Sequence, residues 1–153
     1  VLLLAAGCAT CPVDPKTGRV EVTRLAAAAD TGRSINPVNC LQQIEGGAVH
    51  ALGTTLMEEL IVDKQGRMVN PNFHDYRIPT AMDAPEILAS LVEAPHREGP
   101  FGAKGMAEIV TTSVFPAIGN AIEDAVGVRI RDLPIRSDKV WRALKDSGGA
   151  KSK

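Results

Sequence analysis

The chain has 153 residues, 44% of them hydrophobic and 23% charged, with a formal net charge of −1. This is enough chain for one domain with a real core, in the composition of an ordinary globular protein. The near-balanced charge, without basic clusters, argues against a nucleic-acid surface, and no apolar run reaches the roughly 20 residues that cross a bilayer.

The chain opens on Val1 rather than a start Met, which reads as a fragment. Val1–Ala6 leads into Gly7-Cys8 without a charged region before it, and its apolar run is too short for a signal. A strand belonging to a larger domain is the better reading. Cys8 and Cys11 have C-x-x-C spacing, but Pro12 follows where a redox helix would begin. Cys40, His50, His74 and His96 supply no paired ligand spacing, so reduced thiols and no metal-ligand set are expected.

Val13–Gly18 is a turn built on Pro, Asp and Gly. Arg19–Leu25 then alternates polar and apolar residues, as a half-buried strand does, and continues through the alanines to Asp30. Small side chains there let a helix or a cofactor approach the sheet. After a loop, Asn36 reads as a helix N-cap and Pro37 as the first helical position. Val38, Leu41, Ile44, Ala48, Val49, Leu52 and Leu56 recur at helical spacing, with Gly46 and Gly47 in the middle. Each glycine costs about 1 kcal/mol relative to Ala, so either close helix packing or a nearby ligand is expected there. His50, on this mainly apolar helix, reads as a hydrogen-bonded core histidine.

Met57–Val62 reads as a strand, with Asp63–Gly66 as a hairpin turn and Arg67–Val69 as the return. Asn70–Pro79 is extended loop, in which Asp75, Tyr76 and Arg77 either line a site or anchor the loop. Pro85–Glu93 is a further strand. Gly99–Glu108 then carries three glycines, a lysine and one carboxylate. A helix starting near Met106 would aim free N–H groups into this loop and suit an anionic ligand. Glu108 is then either a group that moves a proton or a residue placed by the helix dipole, and Lys104 is either ligand-facing or solvated. The glycine spacing fits neither the Walker loop nor the dinucleotide fingerprint. Val110, Val114, Ile118, Ile122 and Val126 continue the helix, Pro116 bends it and Gly127 stops it. Val128–Pro134 reads as a last strand and Ser137 as the cap of a short helix with Trp141. These elements imply one domain over 1–146, with a disordered tail over 147–153. The fold class is α+β: a mixed sheet with hairpins, packed against two long helices.

Several of these motifs, taken in order, resemble one family. Gly102-Ala-Lys-Gly-Met-Ala-Glu108 resembles the G-x-K-G-x-G-E segment of the large subunit of molybdenum hydroxylases, the xanthine dehydrogenase and aldehyde oxidase family. Asp30–Pro37 resembles its D-x-G-x-x-I-N-P segment and Gln43-Ile-Glu-Gly-Gly47 its G-Q-I-E-G-G helix start. Val13–Gly18, Leu56–Leu60 and Asn72–Tyr76 follow in the family's order. Ala107 stands where the family has Gly, Gln42 where it has the Gly before Gln, and His50-Ala51 where it has Gln-Gly.

The resemblance implies a domain of the molybdenum-cofactor-binding type and hydroxylation of an N-heterocycle or aldehyde with water as the oxygen source. It places Glu108 on the catalytic glutamate, the general base toward the molybdenum-bound water, and Gln43 on a glutamine that hydrogen-bonds the pterin cofactor. The loop amides of Lys104, Gly105 and Met106 are further cofactor contacts. The cofactor implied is a molybdenum–pterin, in the cytosine dinucleotide or another form, with iron–sulfur clusters and FAD on partner subunits. The partners implied are the remainder of the large subunit, iron–sulfur and flavin subunits and a small-molecule substrate, with no nucleic acid and no membrane, in the cytoplasm. The competing expectation is a non-catalytic remnant or interaction domain that keeps the scaffold.

Overall fold

A computed structural model describes residues 4–148. Three strands, β1 (Ala5–Thr10), β2 (Arg24–Asp30) and β3 (Glu86–Val92), form a sheet in the order β1-β2-β3. β1 runs antiparallel to β2, and β3 runs parallel to it with Arg24 opposite Glu86 and Asp30 opposite Val92. A parallel pair needs a long crossover, and α1 (Pro37–Leu56) supplies it. Two further helices follow β3, α2 (Thr111–Val126) and α3 (Ser137–Asp146). The α+β class with a mixed sheet and two long helices matches the sequence reading.

Alternation along β2 explains the layering. Leu25, Ala27 and Ala29 are buried on one face, while Ala26 and Ala28 are half-buried on the other. Methyl-sized side chains at 27 and 29 bring the helices close. Ile44, Ala48, Ala51 and Leu52 of α1 and Val114, Ile118, Ile122 and Val126 of α2 complete the core. α1 starts as its residues dictate: the Asn36 side chain accepts from the Asn39 amide at 3.1 Å, and Pro37 needs no donor. α2 runs through Pro116 and ends at Gly127 in the left-handed region, with φ of 74°. A Cβ on Gly47 would sit 3.5 Å from Val110, which supports the helix-packing reading for that glycine.

Several predicted elements differ. Regular pairing in β2 begins at Arg24 rather than Arg19; upstream there is only a single bridge between Val20 and Val13. Met57–Val62 is not a strand. Asn70, 4% exposed, takes the ladder's place with its side chain, accepting from Ile61 N at 2.9 Å and donating to Glu59 O at 2.6 Å. The Asp63–Gly66 turn does form, closed by Asp63 N donating to Arg67 O and by one Val62–Met68 bridge. Val128–Pro134 is irregular, because no strand lies alongside to pair with it and Pro134 has no N–H to give. α3 begins one residue after Arg136, with Ser137 inside it rather than capping it. The tail reading is partly corrected: Ser147 N closes α3 on Ala143 O, and residues 149–153 lie outside the described residues, as do 1–3.

His50 is exposed, not in the core, because α1 turns its opposite face to the sheet. Tyr76 anchors its loop, donating from Oη to Glu58 at 2.8 Å; that bond, with desolvation second, raises its phenol above the usual range. Cys8, Cys11 and Cys40 are free, and burial pushes the Cys11 thiol up to about 11, which keeps it unreactive. No helix among the described residues is long and apolar enough to cross a membrane.

Candidate functional site

Parallel strands leave the sheet at the same end, so the chain emerging from Asp30 and the chain emerging from Val92 run side by side. Thr31 N donates to Val92 O at 3.0 Å there. The glycine loop returns onto this end of the sheet. Lys104 N donates to Thr31 O, and Arg33 N and His96 N both donate to Gly102 O, each at 2.9 Å. Gly32 and Ala103 form a single antiparallel bridge between the two segments.

Asp30 sits at the centre of this junction. Its Oδ1 accepts the amides of Gly32 at 2.9 Å and Ala94 at 3.3 Å, and its Oδ2 accepts Lys104 Nζ at 2.5 Å. The Lys104 and Asp30 side chains are 9% and 7% exposed. The Lys104 hydrogen bond first, and then the Gly32 amide, hold this carboxyl below the usual range despite burial. Gly32 has φ of 65°, and a Cβ there would lie 2.4 Å from Gly102 O and 2.9 Å from Lys104 N. Those are backbone atoms, so they cannot swing away. Gly32→Ala is therefore expected to destabilise the fold by at least about 2 kcal/mol, from left-handed strain plus the clash, read as a lowered urea midpoint.

The glycine loop is fixed only up to Lys104. Among the described residues, the amides of Gly105, Met106, Ala107 and Glu108 donate to nothing in the chain. α2 starts at Thr111, five residues later than the predicted Met106. The reason is local: Thr111, Thr112 and Ser113 turn their hydroxyls back onto the carbonyls of Glu108, Ile109 and Val110, at 2.7, 2.8 and 2.9 Å. Glu108 thus precedes the helix instead of lying in its first turn, and it is exposed.

A cleft of about 340 Å³ opens between this loop and the start of α1. Asn36, Asn39 and Gln43 line one side, and Lys104, Met106 and Ala107 the other. Of the residues singled out from sequence, the cleft brings together Gln43, Lys104 and Met106; Gly105 and Glu108 flank its lining in the chain. Lys104 departs from expectation. Its cation is neither ligand-facing nor solvated, because Asp30 holds it, and its amide is spent on Thr31. Sequence reading missed Asp30, whose partner lies 74 residues away. The donor set left open, unpaired backbone amides plus carboxamides, suits the polar edge of a ligand that accepts hydrogen bonds, with an exposed carboxylate beside it. Among the described residues no cluster of His, Cys, Asp or Glu is placed to ligate a metal ion directly.

Comparison with known proteins identifies the family. Residues 2–85 match the molybdopterin cofactor-binding domain. The chain is 35% identical over 132 residues to the gamma subunit of the 6-hydroxypseudooxynicotine dehydrogenase complex of Paenarthrobacter nicotinovorans, covering 84% of this chain and 17% of that one. It is 37% identical over 136 residues to the molybdenum-binding subunit PaoC of an Escherichia coli (strain K12) aldehyde oxidoreductase, covering 88% and 19%. Among solved structures, quinoline 2-oxidoreductase from Pseudomonas putida 86 superposes with a TM-score of 0.83 at 36% identity, covering 89% of this chain and 18% of that one. The aldehyde oxidoreductase from Desulfovibrio gigas gives 0.85 at 33% identity, covering 94% and 15%. The chain thus spans less than a fifth of the length of these relatives.

Proposed function

Because the chain belongs to the molybdopterin cofactor-binding domain family, among molybdenum-binding subunits of xanthine and aldehyde dehydrogenases, we propose that it forms part of a molybdenum hydroxylase. The substrate class is an N-heterocycle or an aldehyde, and water is the source of the oxygen. When bound, the molybdenum–pterin cofactor would supply the redox chemistry, taking up the two electrons of the substrate C–H bond that hydroxylation breaks. Gln43 and the open amides of Gly105 and Met106 hold its polar edge, and Lys104 sets where those amides stand. The Glu108 carboxylate takes the proton from the water oxygen as the new C–O bond forms. The cytosine dinucleotide form of the cofactor, iron–sulfur clusters and FAD on partner subunits, and the remainder of a large subunit complete the assembly. A cytoplasmic setting goes with it, where free cysteines stay reduced.

One observation carries this reading: Gln43 and the loop residues Ala103, Lys104, Met106 and Ala107, far apart in sequence, line one cleft, and the exposed Glu108 follows them in the chain. The test is to purify the chain from its native host with its partners, measure molybdenum and pterin, and assay hydroxylation of an aldehyde and N-heterocycle panel. Bound cofactor and turnover are expected. A complex without molybdenum or pterin refutes the reading. The 153-residue chain alone is expected to hold no cofactor tightly and to turn nothing over, since it spans less than a fifth of the length of these relatives.

A second reading, a non-catalytic interaction domain, is favoured by the exposed apolar residues Leu60, Met68, Phe73 and Met82. It expects partners to co-purify without molybdenum.

A further inference from the structure

We propose that the Asp30–Lys104 ion pair is the positioning device of the cofactor loop, fixing where Gly105–Glu108 stand relative to Gln43. The proposal rests on the reading that this loop holds the cofactor. Neither side chain needs to touch the ligand for it to hold.

Three observations support it. The pair is buried, with its charged atoms 2.5 Å apart and its side chains 9% and 7% exposed. A buried ion pair seldom adds net stability over an apolar pair of the same size, because both charges lose water; its characteristic return is a defined geometry. Secondly, among the described residues, Lys104 is the only residue of the stretch 99–110 in a salt bridge. Thirdly, the pair stands at the boundary between two kinds of backbone. Before it, Gly102, Ala103 and Lys104 have bonded amides; after it, the next four amides are open. Asp30 meanwhile gathers Gly32, Ala94 and Lys104 onto one carboxylate, so the exits of β2 and β3 and the loop share one fixed point.

The test uses the native complex, prepared with and without molybdate. The double variant Asp30→Asn/Lys104→Met removes both charges and leaves no ion buried alone. It is expected to melt within about 5 °C of wild type. The backbone amides at position 104 and at Arg33, which bond the loop to the segment leaving β2, are expected to exchange about tenfold faster, with bound molybdenum and pterin reduced by a similar factor. Lys104→Arg keeps the charge but displaces the loop. It is expected to lower kcat about tenfold while KM stays within about twofold, because Glu108 moves and substrate contacts do not. Wild-type exchange at position 104 and at Arg33 in the double variant overturns the proposal. So does a loss of melting temperature, exchange protection and cofactor in parallel, which is what a purely structural pair gives. Should the double variant fail to accumulate, Lys104→Arg decides: unchanged kcat and unchanged exchange overturn the proposal. A wild-type complex without molybdenum or pterin removes the proposed function instead, and the exchange measurements still decide the tether.

Discussion

Glu108→Gln in the intact complex is expected to lower turnover by about 10²–10⁴-fold, the usual worth of a positioned general base, with molybdenum and pterin content unchanged. The two halves of this expectation come from different atoms. The carboxylate makes no hydrogen bond or salt bridge within the described chain, and it is exposed, so the loop does not depend on it. What the loop uses is the Glu108 carbonyl, which accepts Thr111 N at 3.1 Å and Thr111 Oγ1 at 2.7 Å. Glutamine keeps that carbonyl and the side-chain volume, and loses only the ability to take a proton. Steady-state kinetics beside metal and pterin analysis of the same preparation reads both quantities. Retained turnover removes Glu108 from the chemistry; lost cofactor makes it a binding residue.

Asp30→Asn is expected to destabilise the chain at neutral pH by about 3 kcal/mol, the low end of the range for breaking a buried ion pair, since this one keeps a little exposure. The substitution leaves the Lys104 ammonium enclosed without a counter-charge. For a chain of this size the loss corresponds to a melting temperature lower by roughly 6–12 °C. The pH dependence has a defined sign. The Asp30 carboxyl titrates lower in the folded chain than in the unfolded one, where about 3.9 is usual. The unfolded chain therefore takes up the proton first as acid is added. The stability due to Asp30 is complete above about pH 4 and disappears as pH falls through the lower folded value. Wild type and Asp30→Asn should differ fully at pH 7 and converge in strong acid. Asp14, Asp63, Asp83, Glu93 and Asp138 are depressed in the same direction, but they are present in both chains, so the difference isolates Asp30. A gap that persists unchanged below pH 3 would show that the pair is not what the substitution broke.

What could be read from sequence was what neighbours in the chain decide. Asn36 followed by Pro37 marks a helix start because the two residues act on adjacent backbone groups, and both do so here. Gly127 marks a stop, and Asp63–Gly66 a turn, on the same local grounds. The misses were long-range or cooperative. Asn70 replaces a strand ladder with its own carboxamide, which no alternation of residues announces. Three consecutive hydroxyls delay α2, though the glycines and helix-favouring residues before them suggested an earlier start. His50 lies at helical spacing from apolar residues yet faces outward, because the buried stripe is narrower than the apolar one. In the site, the glycine loop was legible in its own residues and Gln43 only through resemblance, and their shared cleft is a fact of tertiary structure. Asp30 read as the end of a strand. Only folding reveals the cation it holds.

That tether also orders events in time. Asp30 and Lys104 are separated by 74 positions, and the segment between them contains a complete helix and a strand. Contacts of such long sequence separation are entropically late, so β2 and β3 are expected to meet before Lys104 finds its anion. The glycine loop is in this sense expected to mature after the sheet it closes on. Defects that merely slow the joining of those two strands would then surface as protein of normal abundance that arrives unable to be loaded.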